Sequence, residues 1–169
     1  MGASSIAGGS AILVDSSALV YLVEGEPDSP RRAAVERFLA DAEEEDRRLV
    51  ASALIWTELL EKPLAAEDAR LADRYRSFLS GGRIELRVVD VAVADRAAEL
   101  FASLAPGLRR RLSSADLVHI ATALVLGASA ILGNDDAWRR VPRCPPLLLV
   151  DELAAELASE RPESLKSGP

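Results

Sequence analysis

The chain has 169 residues, of which 49% are hydrophobic and 28% charged, the composition of an ordinary globular protein with a core of its own. The net charge of −7 argues against broad, charge-driven binding of nucleic acid, and no apolar run approaches the roughly 20 residues that span a bilayer, so no membrane partner is expected. The single cysteine, Cys144, excludes an internal disulfide and fits a reducing compartment, which predicts a cytoplasmic location.

Short apolar runs alternate with longer amphipathic segments along the chain. The apolar runs predict strands at 11–15, 48–52, 84–89, 129–132 and 147–150. The amphipathic segments predict helices at 17–24, 30–45, 53–61, 66–79, 92–104 and 114–126. Strands this apolar are covered on both faces, and their alternation with helices predicts a parallel sheet. The expected class is therefore α/β, a three-layer sandwich.

Local signals mark the ends of the elements and of the domain. Ser52 and Ser113 are predicted helix N-caps and Gly127 a C-cap. Residues 1–10 lack the charged and apolar regions of a signal peptide and are predicted to form a flexible leader. The polar segment 159–169 is predicted to be a flexible tail, which leaves one domain over residues 11–158.

Two aspartates follow predicted strands directly. Asp15 ends the first strand in AILVDSSALVYL, and Asp135 follows the run 129–132 in ILGNDDAW. Ligands of open parallel sheets bind beyond the carboxyl ends of the strands, and a buried Asp needs a hydrogen bond, an ion pair or a metal. Each aspartate alone is explained equally well as a helix cap.

Two more acids lie in apolar helices. Glu58 is part of SALIWTELLEKP, and Asp116 lies in the first turn of SSADLVHIATALVLG, where a favourable helix-dipole position would also explain it. If the four acids converge, two charges about 5 Å apart repel by about 3 kcal/mol at an effective dielectric of about 20, so protons or a cation are needed. Oxygen ligands without a Cys or His cluster favour Mg²⁺ or Mn²⁺. His119, the only histidine, is expected to fill space or to orient a neighbour.

Four segments occur in the order typical of one family: ILVDSSALVYL, SALIWTELLEKP, LSSADLVHIATALVLGA and AILGNDDAW. Together they resemble the PIN-domain ribonucleases, and among these the VapC-like toxins of toxin–antitoxin pairs. The resemblance implies a three-layer α/β/α PIN-like nuclease domain over residues 11–158, with a five-stranded parallel sheet of order 3-2-1-4-5. Strands one and four are then neighbours.

The resemblance also implies roles for particular residues. The catalytic, metal-binding acids would be Asp15, Glu58, Asp116 and Asp135, and the supporting residues would be Ser17, Asn134 and Asp136. Ser17 would hydrogen-bond within the cluster, and Asn134 would shape the turn. One departure from the family pattern is Gly133, where a Thr or Ser is usual, and Asp136 either replaces the missing hydroxyl in part or lies on the rim.

The activity that the resemblance implies is metal-dependent hydrolysis of RNA phosphodiester bonds, with Mg²⁺ as cofactor and Mn²⁺ as a substitute. Its expected partners are a tRNA or rRNA substrate, a small antitoxin and a second copy in a homodimer. Two basic clusters flank the acidic segments and are expected to guide RNA: Arg109, Arg110, Arg111, Arg139, Arg140 and Arg143. The apolar residues of the early helices would serve either a partner or the core: Leu19, Leu22, Val35 and Leu39.

Two other functions fit parts of the sequence. A PIN-like scaffold that binds RNA or protein without cutting is compatible with Gly133. A phosphoacceptor or phosphatase domain would need a different first motif, because DSS replaces Asp-x-Asp and neither Lys62 nor Lys166 is well placed.

Overall fold

A computed structural model describes residues 10–160 and contains one parallel sheet of five strands. The strands are β1 (Ile12–Val14), β2 (Leu49–Ser52), β3 (Glu85–Arg87), β4 (Ala130–Gly133) and β5 (Leu147–Leu149). Their order is β3-β2-β1-β4-β5, and Val14 of β1 is in register with Leu132 of β4. The predicted α/β/α sandwich and its strand order are confirmed.

Helices cover both faces of the sheet. They are α1 (Ser16–Glu24), α2 (Pro30–Glu44), α3 (Ile55–Ala65), α4 (Ala69–Ser80), α5 (Val91–Ser103), α6 (Pro106–Arg111), α7 (Ser114–Val125) and α8 (Val150–Glu160), with a 3₁₀ helix at Asp136–Arg140. Among the described residues, no helix is both long enough and apolar enough to cross a membrane.

The sheet separates two hydrophobic cores. Ile12 and Val14 face one core, which includes the buried residues of α1 to α4, whereas Leu13 faces the other core, with α5 to α7. Successive residues of a strand point to opposite faces, so an uninterrupted apolar strand serves both cores.

The early-helix residues that were considered for a partner surface are mostly core. Leu19, Val35 and Leu39 are fully buried, so the core explanation for them is confirmed and a partner cannot reach them. Leu22 is partly buried and packs against the same core. Burial of this kind provides about 1.5–3 kcal/mol per large side chain, which makes these residues structural.

Several predicted boundaries are wrong. Helix α3 continues through the buried Pro63 to Ala65 instead of ending at 61, because a proline near a helix end costs only one backbone hydrogen bond. Strand β3 is shorter than the run 84–89, and Val150 begins α8 instead of ending β5. The helices α6 and α8 and the 3₁₀ helix were not predicted. Of the predicted tail, Ser159 and Glu160 belong to α8; residues 1–9 and 161–169 lie outside the described residues.

Two of the three predicted caps are confirmed. Ser113 caps α7 in a reciprocal capping box with Asp116, and Gly127 follows α7 with a φ of 62°. Ala128 N–H donates to the Ala123 carbonyl at 2.8 Å, which is the hydrogen bond that spans more residues in a Schellman motif. Ser52 is not the cap of α3: it is the last residue of β2, and its Oγ accepts from Leu54 N at 3.3 Å.

Replacing Gly127 with alanine is expected to lower the free energy of unfolding by about 1 kcal/mol, because a Cβ is strained at positive φ. The matched control is Gly107→Ala in α6, where a Cβ also meets no atom within 4 Å but the backbone is helical. The control is expected to raise the same free energy by about 0.4–1 kcal/mol. Urea denaturation measures both, and equal losses in the two variants would contradict the role of backbone conformation.

Candidate active site

Asp15 lies at the carboxyl end of the sheet, between β1 and α1. Its backbone N–H donates to the Leu132 carbonyl of β4 at 2.9 Å, so the residue continues the pairing of the two central strands. Its Oδ2 accepts hydrogen bonds from the Ser17 hydroxyl at 2.6 Å and from Ser17 N at 3.2 Å. The hydrogen bond expected of Ser17 is therefore present. Asp15 is the N-cap of α1. It is only 7% exposed, and capping a helix does not by itself require such burial.

Burial makes the ionised form of the Asp15 carboxylate energetically unfavourable. Loss of solvent raises the pKa of Asp15, although the charge of His119 and the Ser17 hydrogen bonds act in the opposite direction. The nearby Glu58 carboxylate raises it further. A buried carboxylate whose pKa is raised in this way favours either a proton or a cation at its oxygens.

Glu58 and His119 form a hydrogen-bonded pair close to Asp15. His119 Nε2 lies 2.8 Å from Glu58 Oε2, and the histidine side chain is 1% exposed. Burial alone would raise the pKa of Glu58, but the hydrogen bond and charge of His119 outweigh it and hold that pKa below its ordinary value. Burial alone would lower the pKa of His119, but Glu58 and Asp15 hold it above its ordinary value.

Asp15, Glu58 and His119 form a compact group. One ligand atom from each lies within 4.8 Å of the ligand atoms of the other two. The three residues come from different parts of the fold: the end of β1, the first turn of α3 and the middle of α7. A divalent ion at this position would contact carboxylate oxygens from two segments, and the hard donor set suits Mg²⁺ or Mn²⁺.

The other two predicted acids lie outside this compact group. Asp116 is one turn before His119 on α7, and its Oδ2 accepts from Ser113 N at 2.6 Å and Ser113 Oγ at 2.8 Å. Asp135 lies after β4 and its Oδ1 accepts from Ala137 N at 2.9 Å. Asp135 therefore caps the 3₁₀ helix, which was the alternative explanation for it, whereas Asp116 lies in the first turn of α7, as its helix-dipole alternative requires, and closes the capping box with Ser113. Asp116 still contributes to the negative potential at His119.

The turn after β4 is built around Gly133 and Asn134. A Cβ at Gly133 would lie 3.2 Å from the Asp15 Cβ and 3.5 Å from Asp15 Oδ2, so glycine leaves space beside the buried carboxylate. Asn134 Nδ2 donates to the Tyr21 hydroxyl at 3.1 Å and to Asp151 Oδ2 at 3.3 Å. Its Oδ1 accepts from Asp151 N at 3.2 Å. Asn134 thus joins the turn to α1 and α8, in keeping with the expected shaping role.

The predicted RNA-guiding arginines fall into two groups. Three of them are engaged: Arg109 donates to the Leu104 carbonyl at 3.0 Å, Arg111 to Asp136 at 2.9 Å and Asp135 at 3.4 Å, and Arg139 to Glu152 at 2.6 and 2.9 Å. The other three are exposed and have no ion pair within residues 10–160: Arg110, Arg140 and Arg143. Asp136 lies on the rim, 68% exposed.

Sequence patterns did not reveal two features of the site. Trp138 is 2% exposed and stacks on His119, with ring centroids 6.2 Å apart. Asp151, which bonds to Asn134, also pairs with Arg31 at 2.5 Å. The apolar periodicity of Val150, Leu153, Ala154 and Leu157 was a signal for α8 and would have placed Asp151 at its start.

The fold and the acidic group define a three-layer α/β/α protein with a carboxylate site at the switch point of its parallel sheet. A family model described as PIN domain matches residues 12–143. The chain belongs to the PIN domain family. The resemblance to a VapC-like PIN-domain protein is thereby confirmed at the level of family and fold. Comparison with curated proteins gives no significant match.

Solved toxin–antitoxin structures share this fold at low sequence identity. VapBC2 from Rickettsia felis, bound to a DNA fragment from its promoter, aligns with a TM-score of 0.65 and 16% identity, over 82% of this chain and 98% of that chain. VapC20 from Mycobacterium tuberculosis, a toxin that cleaves the sarcin–ricin loop, has a TM-score of 0.57 and 16% identity, over 74% and 90%. VapBC-5 from the same organism has a TM-score of 0.53 and 21% identity, over 83% and 97%.

Asp15→Asn is expected to raise the melting temperature of the metal-free protein at pH 7 by a few degrees. The amide removes a buried charge and still accepts the Ser17 hydrogen bonds. The pKa of Asp15 in the folded chain is raised above its ordinary 3.8. The wild type therefore loses stability as the pH rises from 3.8 through the folded pKa, and it has no such loss below 3.8. The gain of the variant should therefore vanish in acid. Calorimetry in EDTA measures it.

The control for this experiment is Asp136→Asn on the exposed rim, which is expected to change stability by no more than about 0.5 kcal/mol at either pH. Added Mn²⁺ should stabilise the wild type and Asp136→Asn but not Asp15→Asn. An equal melting shift of Asp15→Asn at pH 7 and at pH 4 would contradict the assignment of a buried charge.

Proposed function

We propose that this PIN-domain protein is a cytoplasmic endoribonuclease that depends on Mg²⁺, or on Mn²⁺ in its place, and acts as the toxin of a VapBC-like pair. The proposal depends on one observation above the others: the buried Asp15 and the ionised Glu58 approach each other where β1 and β4 end. Two carboxylates in this arrangement need a cation, and a divalent cation supplies the Lewis acidity that phosphodiester hydrolysis requires.

The proposed mechanism assigns each acid a task. A divalent ion bound at the site would make a water more acidic and neutralise charge on the phosphate. Asp15 binds that ion and is held in place by Ser17. Glu58 either ligates it or accepts the proton of the attacking water. Asp116 and Asp135, whose carboxylates hold capping contacts in this structure, would hold the ion directly or through water.

Basic side chains around the acidic group would hold the substrate phosphates. Arg110, Arg140 and Arg143 are the best candidates, since they are exposed and make no ion pair with the acids of residues 10–160. Arg111 neutralises Asp135 and Asp136 and is available once a cation replaces it there. Folded tRNA or rRNA, recognised by shape, is the proposed substrate class, because few aromatic residues are present for stacking.

Incubation with a panel of tRNA and rRNA tests the activity. We expect cutting with Mg²⁺ or Mn²⁺, none in EDTA, and a loss of at least about 100-fold for Asp15→Asn and Asp116→Asn, because each removes charge that binds metal. Mapping of the RNA ends should give 5′-phosphate and 3′-hydroxyl products.

The matched control is Asp95→Asn, which removes the charge of an exposed acid on α5 and should leave cleavage unchanged. Cutting that persists in EDTA, or in both site variants, would refute the proposed chemistry. A wild type that takes up Mn²⁺ yet cuts no RNA of the panel would favour the scaffold alternative, which Gly133 keeps open.

A groove between α1, α2 and α4 supports the proposed antitoxin partner. The groove is open to solvent, and its lining combines Leu22, Val23 and Phe78 with four arginines and two acids: Arg32, Arg70, Arg74, Arg83, Glu36 and Asp73. An apolar floor whose charged rim has more arginines than acids is complementary to an amphipathic segment that carries acids. We propose that the antitoxin lays such a segment in this groove.

Phe78→Glu is expected to lose inhibition by the antitoxin while keeping RNA cleavage, because it puts a charge on the apolar floor of a groove whose lining includes none of the four acids. The probe is an antitoxin selected by its ability to restore growth when it is co-expressed in a bacterial host in which the wild type stops growth. The control is Val125→Glu, an exposed valine on α7 outside the groove. Equal inhibition of Phe78→Glu and wild type would place the antitoxin elsewhere.

The homodimer stays part of the proposal. Three exposed valines offer an apolar surface for a second copy: Val88 and Val89 in the loop after β3, and Val91 at the start of α5. Sedimentation of the isolated chain distinguishes a dimer from a monomer.

A further inference from the structure

His119 has a position that the proposed mechanism does not yet use. It lies on α7, which packs in the second core with α5, while Glu58 lies on α3, whose apolar residues belong to the first core. The hydrogen bond between them therefore connects the two helical layers beyond the end of β1. A ring that is 1% exposed and stacked on the buried Trp138 has little freedom to turn.

This rigid partner fixes one oxygen of a flexible side chain. Glu58 Oε2 is held 2.8 Å from His119 Nε2, so Oε1 is the oxygen that His119 leaves unoccupied, and a hydrogen bond from the Ser16 side chain also holds the carboxylate. Glutamate has several rotatable bonds, and a metal or a water held by it needs a defined carboxylate position. An unsupported Glu58, which is 27% exposed, would sample other rotamers in solvent.

The remaining ring nitrogen distinguishes orientation from ligation. His119 Nδ1 is buried and has no hydrogen-bond partner among the described residues. A histidine that ligates a metal through Nε2 carries its proton on Nδ1 and normally donates it to an acceptor. Ligation through Nε2 would therefore leave a buried N–H without a partner, which is rare, and it would also remove the 2.8 Å hydrogen bond between His119 and Glu58.

We infer that His119 is a positioning residue: it donates from Nε2 to Glu58 Oε2, aims Oε1 towards Asp15 and the ion, and is itself not a ligand. The inference rests on the proposed metal site. It deepens that site by naming the buried residue that orients one of its two closest carboxylates.

Binding of Mn²⁺ alone tests the inference, measured by EPR of the free ion. His119→Phe keeps a ring against Trp138 but no donor, and we expect it to weaken Mn²⁺ binding by at least about tenfold. His119→Gln keeps an N–H donor and should stay within about threefold of wild type. The matched control is Thr122→Val, a buried polar residue one turn further along α7 whose hydroxyl donates to the Val118 carbonyl.

A second measurement on the wild type is independent of any variant's folding. Pulsed EPR of bound Mn²⁺ should detect no directly coordinated nitrogen. A nitrogen ligand would overturn the inference, and so would unchanged Mn²⁺ affinity in a folded His119→Phe. If the wild type binds no Mn²⁺ at all, the proposed function fails together with the inference. If the wild type and His119→Phe bind Mn²⁺ equally well, the inference alone is refuted.

Discussion

The burial of a carboxylate at the end of β1 is the constraint on which the site depends. Asp15 is held there by the parallel pairing of β1 with β4 and by Ser17, so it cannot turn into solvent to regain its hydration. The surrounding residues all act on this charge: His119 offsets it, Glu58 adds to it, and Gly133 leaves space next to it. A cation is the partner that this surrounding favours at neutral pH.

The strand order makes this arrangement possible. Because β1 has β2 on one side and β4 on the other, the segments that follow the three strands start at the same edge of the sheet. Those segments go to opposite faces, and α3 and α7 lie in different cores. The pair of Glu58 and His119 closes the gap between the two layers, so the packing of both cores determines how near Glu58 lies to Asp15.

The amino-acid pattern was sufficient for the fold and for part of the site. Apolar strands with helices between them predicted the sheet, and the order of the four acidic segments predicted the family, because burial on two faces and strand-end carboxylates leave clear marks in a sequence. Capping by Asp135 was one of two explanations that the sequence left open. The contact of Asp116 with Ser113 and the pair of Glu58 with His119 could not be predicted, since they depend on rotamers and on the packing of distant helices. Helix α8 was missed because its first residue continues the apolar run of β5.

Asn134 connects parts of the chain that are synthesised at different times. Its amide joins the turn after β4 to Tyr21, which is made early, and to Asp151, which is made late. On a translating ribosome, the sheet edge with Asp15 emerges well before the residue that fastens this turn. A nascent chain therefore carries all four acids before its turn is secured, and the fastening of the turn waits until α8 has left the exit tunnel. The turn beside Asp15 is therefore among the last parts of the fold to be completed during synthesis.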